Sequence, residues 1–230
     1  EIAGNGIDDD GNGYVDDVRG WNFVAGTPNA SDDHSHGTHV AGVLGAAGNN
    51  GQGVAGTAWQ AAMVPLKVLD AAGTGFTSDA AEALAYAGAL DAGVICNAWS
   101  GSGFSQALQN LILEAAAAQR VVVSAAGNEG RDTDDEPVYP AAFDFENTLS
   151  VTAINDRGQL SWFANRGAYR THLAAPGSGI YSTLPGGGYG FRDGTSAAAA
   201  QVAGVCALVK AAHPACSATQ VKAAVIAGTE

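Results

Sequence analysis

Gly194-Thr195-Ser196-Ala197-Ala198-Ala199-Ala200-Gln201-Val202-Ala203-Gly204 runs from a polar turn straight into a series of Ala, Val and Leu that ends near Lys210. Alanine is the best helix former, and so many small residues suit a helix buried on most sides, so the stretch predicts a core helix over residues 195–212. Ser196 then stands in the first helical turn, where unpaired backbone N–H groups and the positive end of the helix dipole face outward. A serine there has two uses. It can cap the helix, or it can act as a nucleophile whose own N–H helps to hold the oxyanion it creates. The stretch alone leaves both open.

Working outward from it, short apolar runs alternate with helical patterns. Residues 20–24, 62–69, 94–99, 121–125, 149–153 and 171–174 read as strands, and residues 40–47, 78–92 and 105–118 as helices. Residues 179–184 and 189–192 read as a hairpin around Gly186-Gly187-Gly188. His213-Pro214 separates the core helix from a last one over residues 217–227 that carries the chain toward Glu230. Strands of this kind, interleaved with helices of 10 to 15 residues, predict an α/β fold: a mostly parallel sheet with helices on both faces. In such sheets the site lies beyond the carboxyl ends of the strands. Asn128 and the turn Ser100-Gly101-Ser102-Gly103 both follow strands directly, on that edge.

The 230 residues, with no linker, repeat or low-complexity segment to divide them, read as a single domain. Hydrophobic residues make up 47%, which marks a globular rather than a disordered chain. A formal charge of -13 argues against nucleic acid and against anionic membranes as partners, and favours divalent cations. No run of 18 or more apolar residues marks a membrane span. Glu1 opens a Gly/Asp-rich loop rather than a targeting segment, so any such segment is expected outside this sequence. The three cysteines do not make a disulfide framework. Cys96 and Cys206 read as buried thiols, with a Cys206–Cys216 bridge left open.

In the opening loop Asp8, Asp10, Asn12, Tyr14 and Asp16 alternate around Gly13. Hard cations such as Ca2+ want side-chain oxygens every second residue, a Gly for the sharp turn and a backbone carbonyl after it. Calcium is therefore the expected ion, although Arg19 at the twelfth position departs from an EF-hand and a solvated acidic turn would look similar. Further on, His36 and His39 are three apart, as a zinc pair on a helix would be. No His-Glu-x-x-His frame or nearby Cys supports zinc. A histidine at a helix start is better suited to general-base work, since its pKa is already near neutral.

Three separated segments complete the pattern: His36-Gly37-Thr38-His39-Val40-Ala41-Gly42, Ala125-Ala126-Gly127-Asn128-Glu129-Gly130 and Gly194-Thr195-Ser196. In order and separation they resemble the signatures of the subtilisin-like serine peptidases, as do residues 53–68 and Ala174-Ala175-Pro176-Gly177. The resemblance covers nearly the whole chain. It implies a subtilisin-like fold and a secreted endopeptidase that acts on polypeptides. By the same resemblance Ser196 is the nucleophile, His36 its general base, and Asn128 with the Ser196 N–H the oxyanion donors. Ser100, Gly101, Ser102 and Gly103 would pair with an extended substrate and form one wall of its P1 pocket. Ala125, Ala126 and Gly127 would form the facing wall, and Val138 the floor, favouring modest apolar side chains.

The sequence departs from the family in ways that matter. The family carries its triad Asp in an Asp-Ser/Thr-Gly turn after a first strand, and no such turn precedes His36 here. Asp8, Asp9, Asp10, Asp16, Asp17, Asp32 and Asp33 are the carboxylates available upstream, and none follows a strand. The triad Asp is thus expected in an N-terminal segment outside residues 1–230, making that segment, or a propeptide, a partner; the extreme C-terminus of the domain is expected to be missing too. Ala200-Gln201 replaces the usual Pro-His, and Ala197 a common Met, which changes packing and spares the reactive atoms. The competing function is a non-catalytic binding or scaffolding domain on the same fold. A lipase or esterase reading fails, because His precedes Ser and no Gly-x-Ser-x-Gly elbow is present.

Overall fold

The computed structural model describes residues 1–229; Glu230 lies outside the described residues. The first parallel pair is β1 (Trp21–Asn22) with β2 (Leu66–Lys67). A second parallel sheet runs in the order β3 (Val94–Asn97), β4 (Val121–Ala125), β5 (Thr148–Ile154) and β6 (Leu173–Pro176). The expected hairpin is present as β7 (Ile180–Leu184) and β8 (Gly188–Arg192), joined by a 3-10 turn over Pro185–Gly187. Between these strands come α1 (His36–Gly45), α2 (Thr77–Ala89) and α3 (Gln106–Ala117), and after them α4 (Thr195–Ala212) and α5 (Ala218–Ala227).

The helices lie on both faces, as the strand–helix alternation predicts. On one face α4 and α5 pack Ala198, Ala199, Val202, Cys206 and Val221 against Val121, Val123, Leu149 and Val151 of the sheet. On the other, α2 and α3 set Leu84, Leu108 and Ile112 against Ile95 and Val122. The alternation along β3 and β4 sends successive side chains to opposite helical layers. By mean hydropathy, 1.3 over 18 residues, α4 could cross a membrane, yet it is the helix on which the sheet rests.

Several boundaries differ from the sequence reading. The 62–69 run is hydrogen-bonded as a strand only at Leu66–Lys67, and the last parallel strand starts at Leu173 rather than at residue 171. Helix α1 begins at His36, four residues earlier than the apolar pattern indicates, because Asp32 caps it from outside. The final helix closes at Ala227, the bound that the sequence gives it. The bridge left open between Cys206 and Cys216 is absent; all three cysteines are free thiols. Burial pushes both Cys96 and Cys206 up to about 12, which keeps them protonated and unreactive.

Candidate active site

The amino end of α4 is where the separated motifs meet. Ser196 is the second residue of this helix, and its Oγ donates to the carbonyl of Ala98 at 2.9 Å. The neighbouring Thr195 is fully buried and does the positioning. Its N–H donates to Asn128 Oδ1 at 2.8 Å and its hydroxyl to the same oxygen at 3.0 Å, while that hydroxyl accepts from the Gly127 N–H at 3.1 Å. With Oδ1 committed to Thr195, the Asn128 Nδ2 is left as the donor that can face a substrate oxygen.

A second residue, which sequence reasoning missed, shapes the loop that carries Asn128. Asn165 is fully buried, and its Nδ2 donates to the Ala126 carbonyl at 2.9 Å. Its Oδ1 accepts from the Glu129 and Arg131 N–H groups at 3.1 and 2.9 Å. Gly127 has φ +100°, and a Cβ there would come within 2.3 Å of the Asn165 amide. Glycine is needed because the loop folds tightly over this clamp. Nothing local to Asn165 signals that role.

His36 opens α1. Asp32 Oδ2 accepts from the Thr38 N–H at 2.7 Å and its hydroxyl at 2.6 Å, and Oδ1 accepts from the N–H groups of His34 and Ser35. Partial burial alone would raise the Asp32 pKa, but these hydrogen bonds outweigh it and hold the carboxyl at about 2. For His36 the largest effect is burial, followed by the positive charges of Arg192 and His34, and the result is a pKa below the usual 6.5. Arg192 reaches in from β8, donating to Ser35 Oγ and to the His34 carbonyl. The His34 and His36 rings lie 6.3 Å apart. His39 points inward instead, its Nε2–H donating to the Ile180 carbonyl at 2.9 Å.

Ser196, His36, Asn128, Ser100 and Ala125 line one cavity of about 230 Å³. Thr195 and five residues not singled out in the sequence, His34, Leu69, Gly73, Ala98 and Trp99, complete its wall. Gly101, Ser102, Gly103, Ala126, Gly127 and Val138 are not part of that lining. Even so, Gly101 and Tyr139 exchange backbone hydrogen bonds at 2.8 and 2.7 Å, which ties the segment carrying Val138 to the Ser100 turn. Val138 itself is buried.

None of the upstream carboxylates, among the described residues, hydrogen-bonds the His36 ring. Asp32 is the cap of α1, and Asp33 pairs with Lys67 at 2.6 Å. Asp17 is buried and accepts from the Tyr86 hydroxyl at 2.7 Å. Asp16 accepts from the N–H groups of Asn5 and Gly6. The remaining acids belong to the opening loop. There Asp8 and Asp10 meet Glu1, each offering a carboxylate oxygen within 4.8 Å of the others. Asp8 accepts from the N–H groups of Gly13, Gly11 and Asn12, which hold its pKa below the carboxylate norm. Asp16 is not in that trio, and Asn12 turns its amide toward Asp10 and Asp17. Tyr14 packs its ring among Trp21, Phe23 and Tyr86. Three clustered carboxylates fit a hard divalent cation.

The chain matches the model of the subtilase family over residues 1–229. It is 40% identical over 208 residues to subtilisin of Bacillus pumilus, an alignment covering 89% of this chain and 74% of that protein. To thermitase of Thermoactinomyces vulgaris it is 36% identical over 208 residues, covering 90% and 72%. Among solved structures, a cold adapted subtilisin-like serine proteinase superposes with a TM-score of 0.80 at 30% identity, over 89% of this chain and 71% of that one.

Proposed function

The chain belongs to the subtilase family of serine-type endopeptidases, and from that premise we propose how its own residues carry the reaction. Ser196 attacks the carbonyl of a peptide bond in a polypeptide substrate while His36 takes the hydroxyl proton. The resulting oxyanion is held by Asn128 Nδ2 and the Ser196 N–H, at the positive end of α4. His36 then protonates the leaving amine, and water, deprotonated by the same imidazole, hydrolyses the acyl-enzyme. Ser100, Gly101, Ser102 and Gly103 flank the substrate on one side and Ala125, Ala126 and Gly127 on the other, with Val138 beneath.

The observation that carries this reading is the single cavity that Ser196, His36, Asn128 and Ser100 line together. Among the described residues no carboxylate hydrogen-bonds the His36 ring, and we infer that a segment of the same polypeptide ahead of Glu1 supplies one. Glu1, Asp8 and Asp10 would hold a calcium ion, which would brace the opening loop and take no part in the chemistry. The acidic composition suits work outside the cell.

Covalent labelling with an organophosphonate serine probe, read by intact mass and peptide mapping, tests the assignment. A single adduct on Ser196, lost in Ser196→Ala and His36→Ala, is expected. No adduct, even with an N-terminal segment added, would leave a binding domain in place of a peptidase.

A further inference from the structure

Spacing along the chain pairs His36 with His39, but the fold pairs it with His34. The His34 and His36 rings lie 6.3 Å apart, centroid to centroid, with their planes tilted by 58°. His39 and His172 commit their ring nitrogens to the fold. His39 Nε2 bonds the Ile180 carbonyl, and His172 Nδ1 accepts from the Ser150 N–H while its Nε2 meets Asp144. No ring nitrogen of His34 or His36 hydrogen-bonds a described residue, and none is a buried orphan, so all remain open to solvent.

The backbone beneath the pair is fixed. Asp32 Oδ1 accepts from the His34 and Ser35 N–H groups and Oδ2 from the Thr38 N–H. Ser35, at φ 72°, turns the chain between the two histidines, a left-handed conformation that a residue with a Cβ holds only where its surroundings enforce it. Gly73 leaves room for the His34 ring, since a Cβ there would stand 3.0 Å from Nε2. Two imidazoles carried on one braced turn lose little further freedom when they share a ligand.

Their surroundings suit a metal that prefers nitrogen. Both rings line the 230 Å³ cavity beside Ser196, and no carboxylate or cysteine shares that lining. Burial and the charges of Arg192 and His34 hold His36 below the usual 6.5, so at neutral pH it is the uncharged imidazole that metals bind. Imidazole suits zinc and copper, whereas calcium and magnesium want oxygen. Zn–N bonds of about 2.0–2.1 Å at a tetrahedral angle set two ligating rings roughly 5 Å apart, which this pair reaches by closing about 1 Å. Among the described residues no third histidine, cysteine or carboxylate joins them. Water completes the coordination, and binding is reversible.

We propose that His34 and His36 form a two-imidazole site for a borderline transition ion, zinc or copper, which inhibits the chain by occupying its general base. This rests on the catalytic reading above and adds regulation to it. An imidazole bound to the ion through either nitrogen keeps its proton on the other, so no lone pair is left for the Ser196 proton.

The test uses the 230-residue chain at neutral pH with calcium in excess, which fills oxygen sites and leaves imidazole alone. Cu2+ is expected to broaden the imidazole C–H resonances of His34 and His36 together, before those of His172 and His213. Broadening of His36 without His34, or of neither, overturns the site. Zn2+ is expected to slow phosphonate labelling of Ser196 at least tenfold, a chelator to reverse this, and Mg2+ to do nothing; equal inhibition by Mg2+ overturns the assignment. Measured against its own metal-free rate, His34→Gln is expected to need about tenfold more Zn2+ for half inhibition, and Asp8→Asn no more than the parent. Inhibition undiminished in His34→Gln overturns the pairing. Paired broadening with labelling unaffected by Zn2+ keeps the site and overturns its control of the base. Paired broadening in a chain that never labels keeps the site and removes the peptidase reading instead.

Discussion

Asn128 Oδ1 accepts from both the N–H and the hydroxyl of Thr195, at 2.8 and 3.0 Å, one residue before the candidate nucleophile. The pair fixes which end of the amide faces the catalytic cavity. An oxyanion donor that is already oriented costs no reorganisation when charge develops, and that is what makes such donors effective.

Replacing Asn128 by Ala is therefore expected to slow Ser196 acylation by about 10²–10³-fold, the range established for such a donor in subtilisin itself. Thr195→Val keeps the volume and removes one of the two hydrogen bonds to Asn128, together with the acceptor of the Gly127 N–H, so a smaller loss follows. Stopped-time labelling with the phosphonate gives both rates. An Asn128→Ala rate within threefold of the parent would remove Asn128 from the oxyanion hole.

The pH profile follows from the surroundings of His36. Burial, Arg192 and His34 all disfavour the imidazolium, so the folded pKa lies below 6.5. A general base must be neutral, so the labelling rate of the chain alone should fall to half its plateau at a pH below 6.5. Arg192→Ala removes one opposing charge and should move that decline upward. A parent midpoint above 6.5 contradicts the assignment.

Asp32 invites confusion with a triad acid, and its substitution separates the two roles. Its folded pKa, about 2, lies below the ordinary 3.8. The unfolded chain therefore binds the proton more readily. Its contribution to stability is full above about pH 4 and is lost as pH falls toward 2, amounting to ~1–2 kcal/mol after allowance for solvent screening. Asp32→Ala should lower stability at neutral pH by that amount, the usual worth of a helix cap. If Asp32 instead oriented His36, the labelling rate would collapse about 10⁴-fold. Denaturant melts beside labelling rates distinguish the outcomes.

Calcium should raise the melting temperature of the chain, and a chelator should lower it, with Asp8→Asn or Asp10→Asn abolishing the response. A response that survives both substitutions would place the ion elsewhere.

How much was legible beforehand depends on the range of the interaction. Ser196, His36 and Asn128 stand in short motifs, and the strand–helix alternation around them gives the layered α/β arrangement, because hydrophobic period and turn chemistry are local properties. The start of α1 was not legible from its apolar pattern, since the cap that sets it comes from Asp32, outside the helix. The Gly101–Tyr139 pairing, which ties the Val138 segment to the Ser100 turn, was likewise not legible, because it joins backbone groups far apart in the chain.

By itself, then, the sequence determined the layers of the fold and which side chains are candidates for the chemistry, because each follows from spacing along the chain. Tertiary structure alone decided the rest. Asn165 clamps the Asn128 loop, and Glu1 joins Asp8 and Asp10. Each of these depends on which distant backbone groups find partners, and hydrogen-bond satisfaction is settled only when the whole chain has packed.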